Sequence, residues 1–326
     1  MTKPLPLDVR GLRTTLFTRG GELKAVDGLS LSVGAGETVA LVGESGCGKS
    51  LSALSIMRLL PDPPGRIVGG EVRLNGRDIV PLPEEDMLAI RGQEIGMIFQ
   101  DPMSSLNPVA TVEKQIVEVL RAHTDLPRAA ARGRARELLE LVGMPDAGRR
   151  LDEYPHRLSG GMCQRVMIAM AIACSPSVLI ADEPTTALDV TVQAQVLALL
   201  KRLQQDAGMA MMFITHDLGV VAETADRVVV MYAGRKVEEA TVDDLFETPL
   251  HPYTAGLIGA TPTPGAARVE RLADIPGMVP ALNELPRGCA FAPRCPRVMD
   301  RCRHEMPVLT EPAPGRRVAC FAAEKA

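Results

Sequence analysis

Tryptophan is absent from this 326-residue sequence, and all aromatics together make up only 3% of it. So few flat faces exclude a base-stacking platform for single-stranded nucleic acid. A surplus of positive charge is missing too. The net charge of −4 and pI ≈ 5.8 exclude a general basic field of the kind that coats a phosphate backbone. No apolar run reaches the roughly 18 residues that a membrane-spanning helix needs. The nearest is the sixteen-residue stretch from Val166 to Ala181, and Ser175-Pro176 divides it. It reads as a buried helix followed by a buried strand. The opening MTKPLPLDVRG has no signal-peptide apolar core, which predicts retention in the cytosol.

What the chain does have is apolar mass. Hydrophobic residues make up 46% and charged residues 23%, enough for a globular core and against wholesale disorder. At roughly 150 residues per domain the length predicts two domains. Proline marks where they divide: eleven of the 26 prolines fall in the last 76 residues, so the tail is irregular from Pro249-Leu250-His251-Pro252 onward. Cysteine is uneven as well. Cys47, Cys163 and Cys174 are scattered, whereas Cys289, Cys295, Cys302 and Cys320 crowd into the tail. In a cytosolic chain that cluster points to a metal site more than to disulfides.

Before the tail, strand and helix signals alternate. Thr38 to Val42 is a short apolar run ending at Gly43, as a buried parallel strand does. A helix is predicted from about Lys49 to Leu60, stopped by Pro61. Glu71 to Leu74 followed by Asn75-Gly76 reads as a hairpin strand and its turn. Val178 to Asp182, Met209 to Thr215 and Arg227 to Tyr232 read as further buried strands. A helical stretch spans roughly Val112 to Ala173, with Leu138, Leu139, Leu141 and Val142 on one apolar face and Arg132, Arg134 and Arg136 outside it. The pattern predicts an α/β fold with a helical insert beside its sheet.

Gly43-Glu44-Ser45-Gly46-Cys47-Gly48-Lys49-Ser50 fits G-x-x-x-x-G-K-[ST] between a predicted strand and a predicted helix that continues through Leu51. The glycines let backbone N–H groups curl around phosphate oxygens, and the helix adds its positive dipole end. Lys49 reaches the β- and γ-phosphates of a nucleotide, and Ser50 is suited to Mg²⁺. At the carboxyl end of a buried strand, Asp182 is placed to hold Mg²⁺, and Glu183 to orient and deprotonate a water. In Leu158-Ser159-Gly160-Gly161-Met162, Ser159 is a good helix N-cap, and the glycines keep side chains clear of an approaching anion.

That last string resembles the LSGGQ signature of ATP-binding-cassette (ABC) ATPases, with Met162 in the final place. Phe99-Gln100 resembles the glutamine loop of that family, Ala187-Leu188-Asp189 its D-loop and Thr215-His216-Asp217 its histidine switch. The resemblance implies a P-loop NTPase core with a β-subdomain and a helical subdomain at about 101–175, within a cassette spanning 1–250. It implies that Glu183, His216 and Gln100 serve hydrolysis, Gln100 also contributing to the Mg²⁺ site. It implies that Ser159, Gly160, Gly161 and Met162 face ATP bound by a partner cassette. Adenine needs a flat contact, and Phe17 is the only aromatic before Phe99. A Phe packed inside the β-subdomain is the other reading of that residue. His156 reads as structural; Cys163 sits where relatives often carry a basic residue, which alters the signature helix surface without removing a catalytic group.

The tail narrows the resemblance. His251-Pro252-Tyr253-Thr254, together with Gln100-Asp101-Pro102-Met103-Ser104-Ser105-Leu106-Asn107-Pro108, resembles the D-type ATP-binding subunits of dipeptide/oligopeptide permeases. That implies a peptide-transporter-type C-terminal domain over 251–326. The partners implied are a second, F-type cassette or a homodimer, two membrane-spanning permease subunits and an extracytoplasmic binding protein, with no nucleic acid. The implied place is peripheral, at the cytoplasmic face of the inner membrane. Related importers in the same branch carry nickel, glutathione or antimicrobial peptides. Cys289, Cys295, Cys302 and Cys320 have no Cys-x-x-Cys knuckle, which weakens a zinc ribbon. Four thiolates suit a [4Fe–4S] cluster, and the surrounding Arg excess would offset its charge. Zinc, or four reduced and buried thiols, are the alternatives. His304 is the one nearby rival ligand. A DNA-repair cassette would need a long coiled coil between P-loop and signature. A translation-factor cassette usually has two cassettes in one chain.

Overall fold

The structure, a computed structural model, describes residues 4–186, 188–261 and 274–323. Its strands in chain order are β1 (Leu7–Thr18), β2 (Gly21–Val33), β3 (Thr38–Val42), β4 (Gly65–Leu74), β5 (Arg77–Asp78), β6 (Ile95–Ile98), β7 (Val178–Asp182), β8 (Ala210–Thr215), β9 (Arg227–Tyr232), β10 (Arg235–Thr241), β11 (Thr310–Ala313) and β12 (Arg316–Val318). The chain divides into two compact units. One comprises Met1–Pro6, Gly34–Glu37 and Pro81–Met212; the other comprises Leu7–Val33, Thr38–Val80 and Phe213–Ala326. The architecture is mixed α/β, as the sequence predicts.

In the second unit, β2-β1-β4-β5 form an antiparallel sheet. The Asn75-Gly76 turn joins β4 to β5 with both φ angles positive (50° and 87°), which suits the right-handed strand twist. A separate ladder runs from β3, parallel to β9, through antiparallel β10 and β12 to β11. Every residue of β3 is buried, as its unbroken apolar run predicts. Lys236 to Ala240 of β10 are buried although the strand's sequence is RKVEEAT. Lys236 Nζ donates to Glu239 at 2.6 Å and to Ser30 O at 2.6 Å, and Arg227 also pairs with Glu239, so the charges are matched internally. The tail shares this core. Tyr253, Ala290 and Phe291 pack with Val228, Val230 and Tyr232.

In the first unit, β6 and β7 pair in parallel, Ile95 opposite Val178 and Ile98 opposite Ala181. Helices Val112–His123, Arg128–Leu141 and Gly160–Ala171 pack on one another, filling the predicted helical stretch. Two details differ from expectation. The helix after the P-loop ends at Ile56, not Leu60, because Arg58 takes a left-handed φ of 52° and ends the turn before Pro61 is reached. Leu141 is 41% exposed; the buried stripe is Ala131, Ala135, Leu138, Leu139 and Val142, at helical spacing. No described helix is long and apolar enough to cross a membrane.

Candidate functional site

The P-loop lies in the second unit, at the end of β3. Its glycines are required by space. A Cβ on Gly43 would stand 2.3 Å from Met231 O, and one on Gly48 2.4 Å from Ala25 O. Gly46 and Gly48 have φ of 78° and 102°, and Gly48 caps helix Lys49–Ile56. The Gly234 N–H donates to Cys47 O at 2.9 Å and so fixes the loop from behind. Lys49 is buried, and its Nζ donates to Gly43 O at 2.7 Å and Glu44 O at 3.1 Å. The Cys47 thiol is fully buried; desolvation pushes its pKa up, against the pull of Lys49, so it stays neutral. This cradle of tight backbone and one sequestered ammonium fits a nucleotide phosphate.

Glu44 makes contacts that sequence reasoning did not foresee. Its backbone N–H donates to the Tyr253 hydroxyl at 2.8 Å. Its carboxylate accepts from both Arg294 terminal nitrogens, at 2.6 and 2.9 Å. No local signal could have shown either, since the partners lie more than 200 residues on. Of the other expected groups in this unit, His216 is exposed just beyond β8, ahead of the Asp217 cap of helix Leu218–Thr224. Phe17 is 43% exposed near the end of β1.

In the first unit, β7 delivers Asp182, which is buried. The next residue, Glu183, takes a positive φ of 46°, a costly conformation for a residue with a Cβ. Gln100 Nε2 donates to Glu183 Oε2 at 3.0 Å, and Thr186 Oγ1 donates to the same oxygen at 2.9 Å. Two residues expected to serve hydrolysis, Gln100 and Glu183, are thus in direct contact. Ser159 caps helix Gly160–Ala171 through Met162 N, and Ser159 and Gly160 are exposed. A Cβ on Gly161 would meet Val192 at 2.8 Å. Asp189 caps helix Val190–Ala207 and is exposed; Ala187 lies outside the described residues. Cys163 is buried with Sγ 3.5 Å from Pro155 O, and His156 stacks on Tyr154.

Cys289, Cys295, Cys302 and Cys320, all free thiols, line one small cavity of the second unit with Phe291, Ala292 and Phe321. Burial first, and the neighbouring Cys302, Cys320 and Cys295 second, push the Cys289 thiol up to about 11. Cys295 and Cys320 are raised for the same first cause. The donor set fits a soft metal in chemistry and in location. The side chains do not converge on a point, however: among the described residues no group of three or more His, Cys, Asp or Glu is arranged to hold a metal ion. His304 is exposed, 3.8 Å from Asp300. His251 lines the cavity instead, its Nδ1 accepting from Tyr253 N at 3.0 Å.

Comparison with known proteins agrees with this geometry. The ABC transporter family profile matches residues 26–186, and that of the oligopeptide/dipeptide transporter C-terminal region matches 237–302. The oligopeptide transport ATP-binding protein AppD of Bacillus subtilis is 53% identical, covering 98% of this chain and 97% of its own. The dipeptide transport ATP-binding protein DppD of Escherichia coli is 51% identical, over 96% and 95%. Among solved structures, the dimeric ATP-binding cassette MJ0796 bound to ADP and Pi superposes with a TM-score of 0.66 at 28% identity, over 72% of this chain and 98% of that one. The chain therefore belongs to the ATP-binding subunits of ABC transporters, in the branch with the oligopeptide/dipeptide transporter C-terminal region, a family of ATP-hydrolysing transport ATPases.

Proposed function

We propose that this chain hydrolyses ATP to power uptake of di- and oligopeptides across the cytoplasmic membrane, residues 1–250 handling ATP and 251–326 forming the peptide-transporter-type extension. The observation that carries the hydrolytic reading is the Glu183 carboxylate, held by Gln100 and Thr186 directly after the buried Asp182. A carboxylate so oriented can take a proton from water. Gly43 to Leu51 bind the phosphates, and Lys49 supplies positive charge to them. Ser50, Asp182 and Gln100 would hold Mg²⁺. When bound, Mg²⁺ neutralises charge developing on the phosphate oxygens. His216 contacts the γ-phosphate and orients the water with Glu183, and Phe17 meets the adenine. Ser159, Gly160, Gly161 and Met162, with the D-loop Asp189, serve ATP held by the partner cassette. The exposure of Ser159 and Gly160 at a helix N-terminus supports that role.

The partner is an F-type cassette or a second copy of this chain. Two permease subunits join them, and an extracytoplasmic binding protein acts through the permeases. The chain sits peripherally at the cytoplasmic face of the membrane. Peptide as cargo is supported by the tail match and by the names of the relatives. Cys289, Cys295, Cys302 and Cys320 hold a structural [4Fe–4S] cluster; their shared cavity and four soft donors support this, and ligation requires the sulfurs to turn inward.

The reading is tested on the assembled transporter. Glu183→Gln is expected to lower ATP turnover by roughly 10²-fold or more while nucleotide still binds. The dilute chain alone is expected to hydrolyse slowly and to gain activity with the partner cassette and permeases. Turnover of Glu183→Gln near wild type defeats the base assignment. Uptake of nickel or glutathione in place of labelled peptide reassigns the cargo.

A further inference from the structure

The P-loop carries a liability. Glu44 places a carboxylate in the loop that is to receive polyphosphate, and like charges repel. The structure deals with that charge from the tail. Arg294, nearly fully buried, closes a two-pronged ion pair on Glu44 at 2.6 and 2.9 Å. The guanidinium is itself held. Nε donates to Pro276 O at 3.0 Å, Nη2 to Ile275 O at 3.1 Å, and Nη1 lies 3.4 Å from the Tyr232 hydroxyl. Tyr253 adds a separate tie, accepting the Glu44 N–H at 2.8 Å. Both aromatic rings are buried and pack edge to face on each other, 4.7 Å between centroids. Side chain and backbone of one P-loop residue are therefore fixed by the tail through independent anchors.

We propose that Arg294 is a positioning residue for ATP binding: it neutralises Glu44 and holds the P-loop in its phosphate-receiving shape, so that nucleotide affinity depends on the C-terminal region. This rests on the nucleotide reading of the P-loop. Two effects act in the same direction. A loop already fixed loses less entropy when the phosphates arrive. A carboxylate paired with a planar, bidentate cation also has its charge cancelled locally and its position defined. Removing the arginine frees both the loop and the charge. Removing the glutamate frees the loop but removes the repulsion. The two substitutions are therefore unequal, and the second partly reverses the first.

The test is calorimetric titration of the whole chain with ADP and Mg²⁺. Arg294→Gln is expected to weaken binding roughly tenfold, and Glu44→Gln roughly threefold. The double variant is expected to bind more tightly than Arg294→Gln alone. Arg294→Lys, which keeps charge without the fork, is expected to fall between wild type and Arg294→Gln. In the assembled transporter, Arg294→Gln is expected to raise the KM for ATP with kcat within about twofold, a split that general loss of structure does not produce. If Arg294→Gln does not fold, the Lys variant and Glu44→Gln carry the test. Variants that bind as tightly as wild type overturn the proposal, as does a double variant no better than Arg294→Gln. Failure of wild type itself to bind ADP would instead overturn the nucleotide reading.

Discussion

The P-loop and the segment that carries the four cysteines both place donor groups around a small volume, yet they are built on opposite physical plans. Residues 43–50 offer backbone N–H groups, and their geometry is set by glycines whose replacement would collide with Met231 O or Ala25 O. Such a loop has its shape without its ligand. In the cysteine segment the donors are side-chain sulfurs on mostly apolar walls. Burial favours the neutral thiol form of Cys289, Cys295 and Cys320. Only a cation can reverse that preference. Backbone sites are thus formed before they bind, whereas thiol sites take their final geometry from what they bind.

The sharpest way to break the contrast is at Gly48. With φ of 102° and no room for a Cβ, Gly48→Ala must shift either the loop or the β2 backbone at Ala25. Nucleotide affinity is expected to fall by roughly 10²-fold or more, with the iron of the proposed cluster unchanged. Calorimetry and metal analysis of one preparation check both halves. Near-normal affinity would mean that the loop is not preformed.

The opposite plan is tested at Cys302, the most buried of the four thiols. On the proposed cluster reading, Cys302→Ser is expected to lower iron content and to lower the thermal midpoint by several degrees, a loss of roughly 2–4 kcal/mol. Nucleotide affinity is expected to change less than iron content. Full metal occupancy in the variant would show that the segment does not depend on its thiols.

Legibility followed the same division. Motifs whose chemistry is local could be read directly: Gly43 to Ser50, and the all-apolar run that ends in Asp182. Strands β1 and β2 could not, although they are among the longest in the fold. Register shifts between Val9 and Leu12, Leu12 and Arg13, and Thr14 and Thr15 break the period-two alternation that marks a strand. Strand β10 was hidden by its charges, which are buried against one another rather than exposed. Arg294 counted only as one positive charge in a Pro-rich tail. Its partner lies 250 residues away in sequence, beyond the reach of any spacing rule. The Gln100–Glu183 contact spans 83 residues, and the family resemblance, not spacing, had named both.

A smaller effect separates the two regions by pH. His251 is buried on the wall of the cysteine cavity, and burial lowers its pKa from 6.5 to about 4. Above pH 6.5 the imidazole is neutral in both folded and unfolded chains. Between 6.5 and about 4 the unfolded chain takes up a proton that the folded chain refuses, so stability falls as pH falls. The full span is worth about 3 kcal/mol at most. Protonation would also turn the Nδ1 that accepts from Tyr253 N into a donor. Glu238, which accepts from the His251 backbone N–H at 2.9 Å, acts with the opposite sign. Burial raises its pKa, so the folded chain takes its proton first and gains stability on acidification. The His251 share is therefore read as a difference between wild type and His251→Gln, which keeps an acceptor but does not titrate. Thermal midpoints from pH 7 to 5 are expected to fall more steeply in wild type; parallel curves would remove His251 from the account. The P-loop has no counterpart in Cys47, whose buried thiol stays neutral across this range.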